Sequence, residues 1–152
     1  MRLFGGGSKT EDAGSFAMAL SEDEWHQKLT PAQFNVLRKH GTERAGTSPL
    51  NQEKRAGTFL CAGCGKALFG ADTKFESGTG WPSFYAPLEA AIGTTEDRSI
   101  FMTRTEVHCG NCGGHLGHVF DDGPRPTGLR YCMNGAAMAF KPAGKPADKP
   151  AG

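Results

Sequence analysis

The pattern of apolar and polar positions divides the chain into a helical stretch and a longer β stretch. Two helix starts stand between Ser21 and Gly41. SEDE (Ser21 to Glu24) has the form of a capping box, in which serine accepts from the backbone and glutamate returns the bond. TPAQ (Thr30 to Gln33) repeats it, with Pro31 at the first helical position, where its missing N–H costs nothing. Phe34, Val36 and Leu37 turn inward from the second helix, and Gly41 suits its C′ position. Helices this short pack on the outside of something else.

That something is β. Gly57–Leu60 and Lys66–Phe69 flank Cys61-Ala-Gly-Cys64-Gly as the arms of a hairpin. Ser99–His108 alternates, with Phe101, Thr103, Thr105 and Val107 on one face and Met102, Arg104 and Glu106 on the other. A second tight turn, Cys109-Gly-Asn-Cys112-Gly-Gly, leads into a strand over His115–Phe120, and a final strand runs through Leu129–Phe140. GTGWPSFYAP and DDGPRPTG read as loops. The expected fold class is mainly β, a small antiparallel domain with short N-terminal helices, spanning residues 20–140. Residues 1–19 are Gly-rich and polar, and residues 141–152 repeat Lys, Pro, Ala and Gly, so both ends are expected to be disordered.

Composition narrows the function. The 152 residues make one domain, and the 22 Gly and 9 Pro favour turns and short strands over long helices. A formal charge of +1 gives no field to hold a phosphate backbone, which counts against nucleic acid as partner. The N-terminus lacks the apolar run of a secretory signal, and no run of ~18 apolar residues suggests a membrane span. Free thiols with no export signal point to a reducing compartment, with cytoplasm as the expectation.

Four of the five cysteines form two pairs, Cys61/Cys64 and Cys109/Cys112. A CxxC on a Gly-rich turn aims two sulfurs at one point, and two such turns complete a tetrahedral S4 site. Forty-four residues separate the pairs, so the metal would clip two hairpin tips at one end of the domain. Neither turn supplies an open coordination position or a general base, which favours structural zinc. An iron–sulfur cluster and redox dithiols are the alternatives.

Cys132, in RYCMNG, is left over. In an extended strand Arg130, Cys132 and Asn134 share one face. A guanidinium beside a thiol favours thiolate, and an amide can donate to a developing anion. A lone cysteine is also an ordinary small buried hydrophobe, and both readings stand on the local sequence. In HLGHVFDDGP, His115 and His118 face opposite sides of a regular strand, unless a bulge at Gly117 brings them together. Without it His118 joins Leu116 and Phe120 as a core histidine. With it, imidazole is suited to proton transfer near neutral pH, with Asp121 and Asp122 as candidates to orient it. Trp81, between two glycines and a proline in SGTGWPSF, either fills the core or walls a small apolar pocket.

FESGTGWPSF, HLGHVFDDGP and RYCMNG, in this order and interleaved with the CxxC pairs, resemble the methionine-R-sulfoxide reductase B family from about Ser21 to Phe140. LTPAQFNVLRKHGTE is similar to that family's helical start. The resemblance implies a β-tent-like (Mss4-like) fold with one structural zinc on Cys61, Cys64, Cys109 and Cys112, and no organic cofactor. It implies reduction of the R epimer of methionine sulfoxide in proteins or peptides, in line with one repair enzyme per epimer. Cys132 would be the nucleophile and His118 the acid. His115 would position the substrate oxygen, with Asn134 and Arg130 supporting the reacting centre. Trp81 would cradle the ε-methyl, and Asp122 would sit near the histidines. The implied partners are oxidised proteins and thioredoxin or another thiol reductant, with the enzyme a monomer.

Two positions depart from the family pattern. Thr79 stands where many members have a second cysteine, leaving no free thiol to resolve a sulfenic acid on Cys132. Gly135 stands where serine is frequent. Two other classes remain: a zinc-stabilised binding module with an unreactive Cys132, and a thiol peroxidase.

Overall fold

The computed structural model describes residues 16–98 and 102–143. Most of each expected disordered end, and Ser99 to Phe101 of the expected strand, lie outside the described residues. Both helices form where their caps announce them. Helix α1 (Glu22–Lys28) and helix α2 (Pro31–Lys39) each start with a reciprocal capping box, Ser21 with Glu24 and Thr30 with Gln33. Phe34, Val36 and Leu37 are buried as expected. The left-handed residue that ends α2 is His40 (φ 58°), one position before the glycine. Gly41 is needed for a different reason, since a Cβ there would collide with the Asn35 side chain.

Nine strands follow among the described residues: β1 (Gly57–Cys61), β2 (Ala67–Gly70), β3 (Lys74–Phe75), β4 (Ser83–Phe84), β5 (Ile92–Arg98), β6 (Thr103–Cys109), β7 (His115–Phe120), β8 (Arg130–Met133) and β9 (Met138–Pro142). All pairings among the described residues are antiparallel. They make a three-stranded sheet in the order β2-β1-β9 and a six-stranded sheet in the order β3-β4-β8-β7-β6-β5.

The expected final strand over Leu129–Phe140 is in fact two. A 3-10 turn at Gly135–Ala137 divides it, sending β8 into the large sheet and β9 into the small one. The chain thereby crosses between the sheets. Their facing sides make the core: Phe59 and Phe69 meet Phe84 at ring-centroid distances of 5.0 and 4.4 Å, and Phe69 meets Tyr131 at 5.8 Å. These three phenylalanines are fully buried, each contributing roughly 1.5–3 kcal/mol by removal of apolar area from water. Trp25 of α1 packs on the Cys61 turn, so the helices cover the end of the domain where the paired cysteines lie.

Candidate active site and metal centre

The two CxxC turns meet as their spacing requires. The four Sγ atoms lie within 4.8 Å of one another, with Cys61 to Cys112 at 3.8 Å and Cys64 to Cys109 at 3.5 Å. Sulfurs bound to one tetrahedral ion at about 2.3 Å stand about 3.8 Å apart, so the set fits a single ion. Each turn points amides at its sulfurs, Gly63 N to Cys61 Sγ and Asn111 N to Cys109 Sγ, both at 3.3 Å. Gly65 and Gly113 follow the pairs at φ 83° and 76°, a left-handed conformation that glycine adopts without strain. Arg38 of α2 donates to the Cys112 carbonyl at 3.1 Å and lies over the Trp25 ring, sealing the knot.

Cys132 belongs to a different construction. Register across the large sheet aligns Thr95, Glu106, His118, Cys132 and Ser83 in one row, each the cross-strand partner of the next. Side chains of such a row stand on one face of the sheet. Two residues along, Asp97 and Arg104 extend that face on β5 and β6. Of the two alternatives at Gly117, the bulge is the one present, one residue earlier: Val107 pairs with Gly117 but His108 pairs with His115, leaving Leu116 as the extra residue. It turns His115 onto the face of His118, with the rings 5.5 Å apart. Gly117 itself allows close approach of β8, because a Cβ there would collide with the Cys132 carbonyl oxygen.

Each histidine has a carboxylate partner. His118 Nε2 lies 2.8 Å from Asp97 Oδ2, and His115 Nδ1 lies 2.8 Å from Glu106 Oε2. The expectation that Asp121 or Asp122 serves the histidines is therefore corrected. Asp122 instead forms a two-pronged ion pair with Arg130, at 2.8 and 3.1 Å, and the guanidinium lies over the Phe120 ring. Burial pushes the Glu106 carboxyl up, but the bonds from His108 and His115 outweigh it and hold it at about 2. Burial lowers the His118 pKa, with the Asp97 bond opposing and Arg104 and His115 adding to the lowering. His40 also leans on His115 at 4.9 Å, and its donor lies within 4.8 Å of those of Glu106 and His115. The Glu106 oxygens are already engaged by two imidazoles, so we read this group as a hydrogen-bond network.

The thiol itself requires a second correction. Arg130 and the Thr79 hydroxyl, 4.0 Å from Cys132 Sγ, do pull the thiol pKa down, but burial outweighs them and the net shift is upward. The guanidinium's sign was legible; its defeat by desolvation was not. Thr79 is part of a hydroxyl chain through Ser77 to Ser83, at 2.8 and 2.7 Å.

Asn134 is buried, with Oδ1 accepting from Glu43 N at 2.8 Å and Nδ2 donating to the Leu116 carbonyl at 3.0 Å. Its amide braces the end of β8 against β7. Glu43, unmarked by any chemistry in the sequence, ties this corner together. Its carboxylate accepts from Gly135 N and Ala136 N, each at 2.8 Å, and its carbonyl accepts from Trp81 Nε1 at 3.0 Å. Trp81 is half-buried and borders a cleft of about 410 Å³ with Ser48, Phe75 and Ser77. A second cleft of about 440 Å³ lies beside Thr79, Asp122 and Arg130.

Gly135 also finds its reason here. A Cβ at this position would run into the Ser48 hydroxyl, which fills the space a larger residue 135 would take. Sequence reasoning missed Asp97, Glu106, Glu43 and Ser48 as parts of the site. Only Glu106 carried a signal, its place on the polar face of an alternating strand.

Fold and site together define a two-sheet domain with four cysteine sulfurs gathered where they could hold one metal ion, and a fifth thiol paired across strands with a carboxylate-held imidazole. Residues 29–142 match the SelR domain. The chain is 53% identical to the peptide methionine sulfoxide reductase MsrB of Leptospira interrogans, over 80% of this chain and 93% of that protein. It is 56% identical to the enzyme of the same name from Pseudomonas putida, over 79% and 91%. It is 51% identical to the chloroplastic peptide methionine sulfoxide reductase B1 of Arabidopsis thaliana, over 86% and 65%. The chain belongs to the methionine-R-sulfoxide reductase B family, a family of oxidoreductases. No helix among the described residues is long and apolar enough to cross a membrane.

Proposed function

We propose that this chain reduces the R epimer of methionine sulfoxide in proteins or peptides, with Cys132 as nucleophile and one structural zinc on the four paired cysteines. The observation that carries the reading is the cross-strand pairing of His118 with Cys132, which puts an imidazole and a thiol on one face. When bound, zinc would be held by Cys61, Cys64, Cys109 and Cys112 and would cross-link the two turns, taking no part in the reaction at Cys132. Cys132 thiolate attacks the sulfoxide sulfur while His118 gives a proton to the oxygen. The oxygen ends on Cys132 as sulfenic acid, and the substrate sulfur leaves as methionine, two electrons reduced. Burial raises the Cys132 thiol pKa and lowers that of His118, so the pair rests uncharged; His118 takes the thiol proton and passes it to the sulfoxide oxygen. Trp81, held through its indole nitrogen, walls off the ε-methyl and so selects one epimer.

Thr79 cannot form a disulfide, and all five cysteines are free. Recycling therefore falls to an external thiol, thioredoxin or another. One thiol condenses with the sulfenic acid, releasing water and leaving a mixed disulfide, and a second thiol releases Cys132. We place this repair of oxidatively damaged protein in the cytoplasm and in a monomer. Turnover of the separate R and S sulfoxides with dithiothreitol and with thioredoxin tests the reading. Only the R epimer should be consumed, and mass spectrometry after one turnover without reductant should find one added oxygen on Cys132. Consumption of the S epimer, or a disulfide between Cys132 and a paired cysteine, would overturn it.

A further inference from the structure

We propose that Asp97 is a positioning residue that holds His118 as the Nε2–H tautomer, so that Nδ1 is the nitrogen presented to the sulfoxide oxygen. The part about the oxygen rests on the reading above; the tautomer does not. Asp97 Oδ2 lies 2.8 Å from His118 Nε2 and 3.5 Å from Arg104 Nη2. The imidazole bond holds the Asp97 carboxyl below the usual carboxylate range. An ionised carboxylate only accepts, so the hydrogen between the pair belongs to Nε2. Nδ1 carries no hydrogen bond among the described residues.

The neighbouring histidine is held the other way round. Glu106 takes His115 at Nδ1, leaving its Nε2 outward. Two carboxylates on two strands thus expose opposite nitrogens of two adjacent rings. The groups facing His118 are Asp97 on β5, Arg104 and Glu106 on β6, His115 on its own strand and Cys132 on β8. Protonated His118 would give its Nδ1 proton to the substrate oxygen and keep Nε2–H on Asp97. It would finish in its resting tautomer, with no ring flip before the next turnover.

The test is long-range nitrogen–proton NMR on the zinc-loaded full chain with labelled histidines, above the His118 titration. The wild type should show His118 as Nε2–H. Nε2 and Arg104 Nη2 share one Asp97 oxygen, so in Asp97→Ala the acceptor facing Nε2 is gone and the Nε2–H share should fall. The same variant should lose kcat by about 10²-fold, the low end of what a placed acid contributes, with KM nearly unchanged. Because the Asp97 bond raises the His118 pKa, the alkaline limb of kcat should also move to lower pH in the variant. A wild-type Nδ1–H tautomer overturns the proposal. An Asp97→Ala protein with unchanged tautomer and pH profile also overturns it. If the chain reduces no sulfoxide at all, the reading above fails while the NMR result still decides the tautomer.

Discussion

The molecule has two cysteine centres, and they are built by opposite means. The paired cysteines sit on two turns that each carry their own geometry: two thiols, a left-handed glycine and amides aimed at sulfur. Folding has only to bring the turns together. Cys132 has no local construction around it. Its surroundings come from β4, β5, β6, β7 and the Glu43 loop, and the register of the large sheet aligns them. On the proposed function, stability is concentrated at the first centre and chemistry at the second, so the second can be removed without the first.

The largest expected effect is at the paired cysteines. Cys61→Ser, or zinc removal by a chelator, should abolish cooperative unfolding, because a structural zinc contributes about 10–16 kcal/mol where a whole domain has about 5–15. Metal content and a denaturant melt check this, and an unchanged melt without metal would break the division of labour. Cys132→Ser should do the reverse. Zinc content and melting midpoint stay at wild-type values while R-sulfoxide turnover disappears. Retained turnover would remove Cys132 from its role.

A smaller effect sharpens how the face that carries Cys132 is held. The Glu106 carboxyl is depressed from 4.5 to about 2 in the folded chain. Its contribution, about 3 kcal/mol at most, is present above pH 4.5 and lost as pH falls through 2. Urea melts should show Glu106→Gln losing less stability than wild type over that window, and parallel curves would count against the network. The smallest effect concerns the corner under Asn134. Gly135→Ser should cost about 1–3 kcal/mol by overpacking against Ser48, and Ser48→Gly in the same chain should recover most of it. Thermal melts of both singles and the double measure the coupling, and strict additivity would exclude the contact as the cause.

Legibility followed the range of the interactions. Both helices were announced by capping boxes, which act over four residues, and the first hairpin by its turn. Strand β5 went unread because IGTTEDR has few apolar positions to alternate; its outward face carries Asp97, which serves a histidine 21 positions later. The division of Leu129–Phe140 was hidden because both halves are extended and apolar, and the break comes from Gly135 and Glu43, 92 residues away. Asp122 was a candidate beside the histidines by proximity in sequence and was placed near them by the resemblance, while its actual partner, Arg130, lies across a loop.

The sequence by itself determined the residue types: four paired thiols spaced to hold a metal ion, a fifth thiol apart, two histidines and an indole in a tight loop, with a threonine at 79 where the family it resembles often has cysteine. Turn chemistry and capping are local, so those elements could be read directly. Only the tertiary structure decided which carboxylate holds which imidazole, that the bulge falls at Leu116, and that burial outweighs Arg130 at the thiol. Those outcomes depend on cross-strand register and on desolvation, and neither is a property of any short stretch of chain.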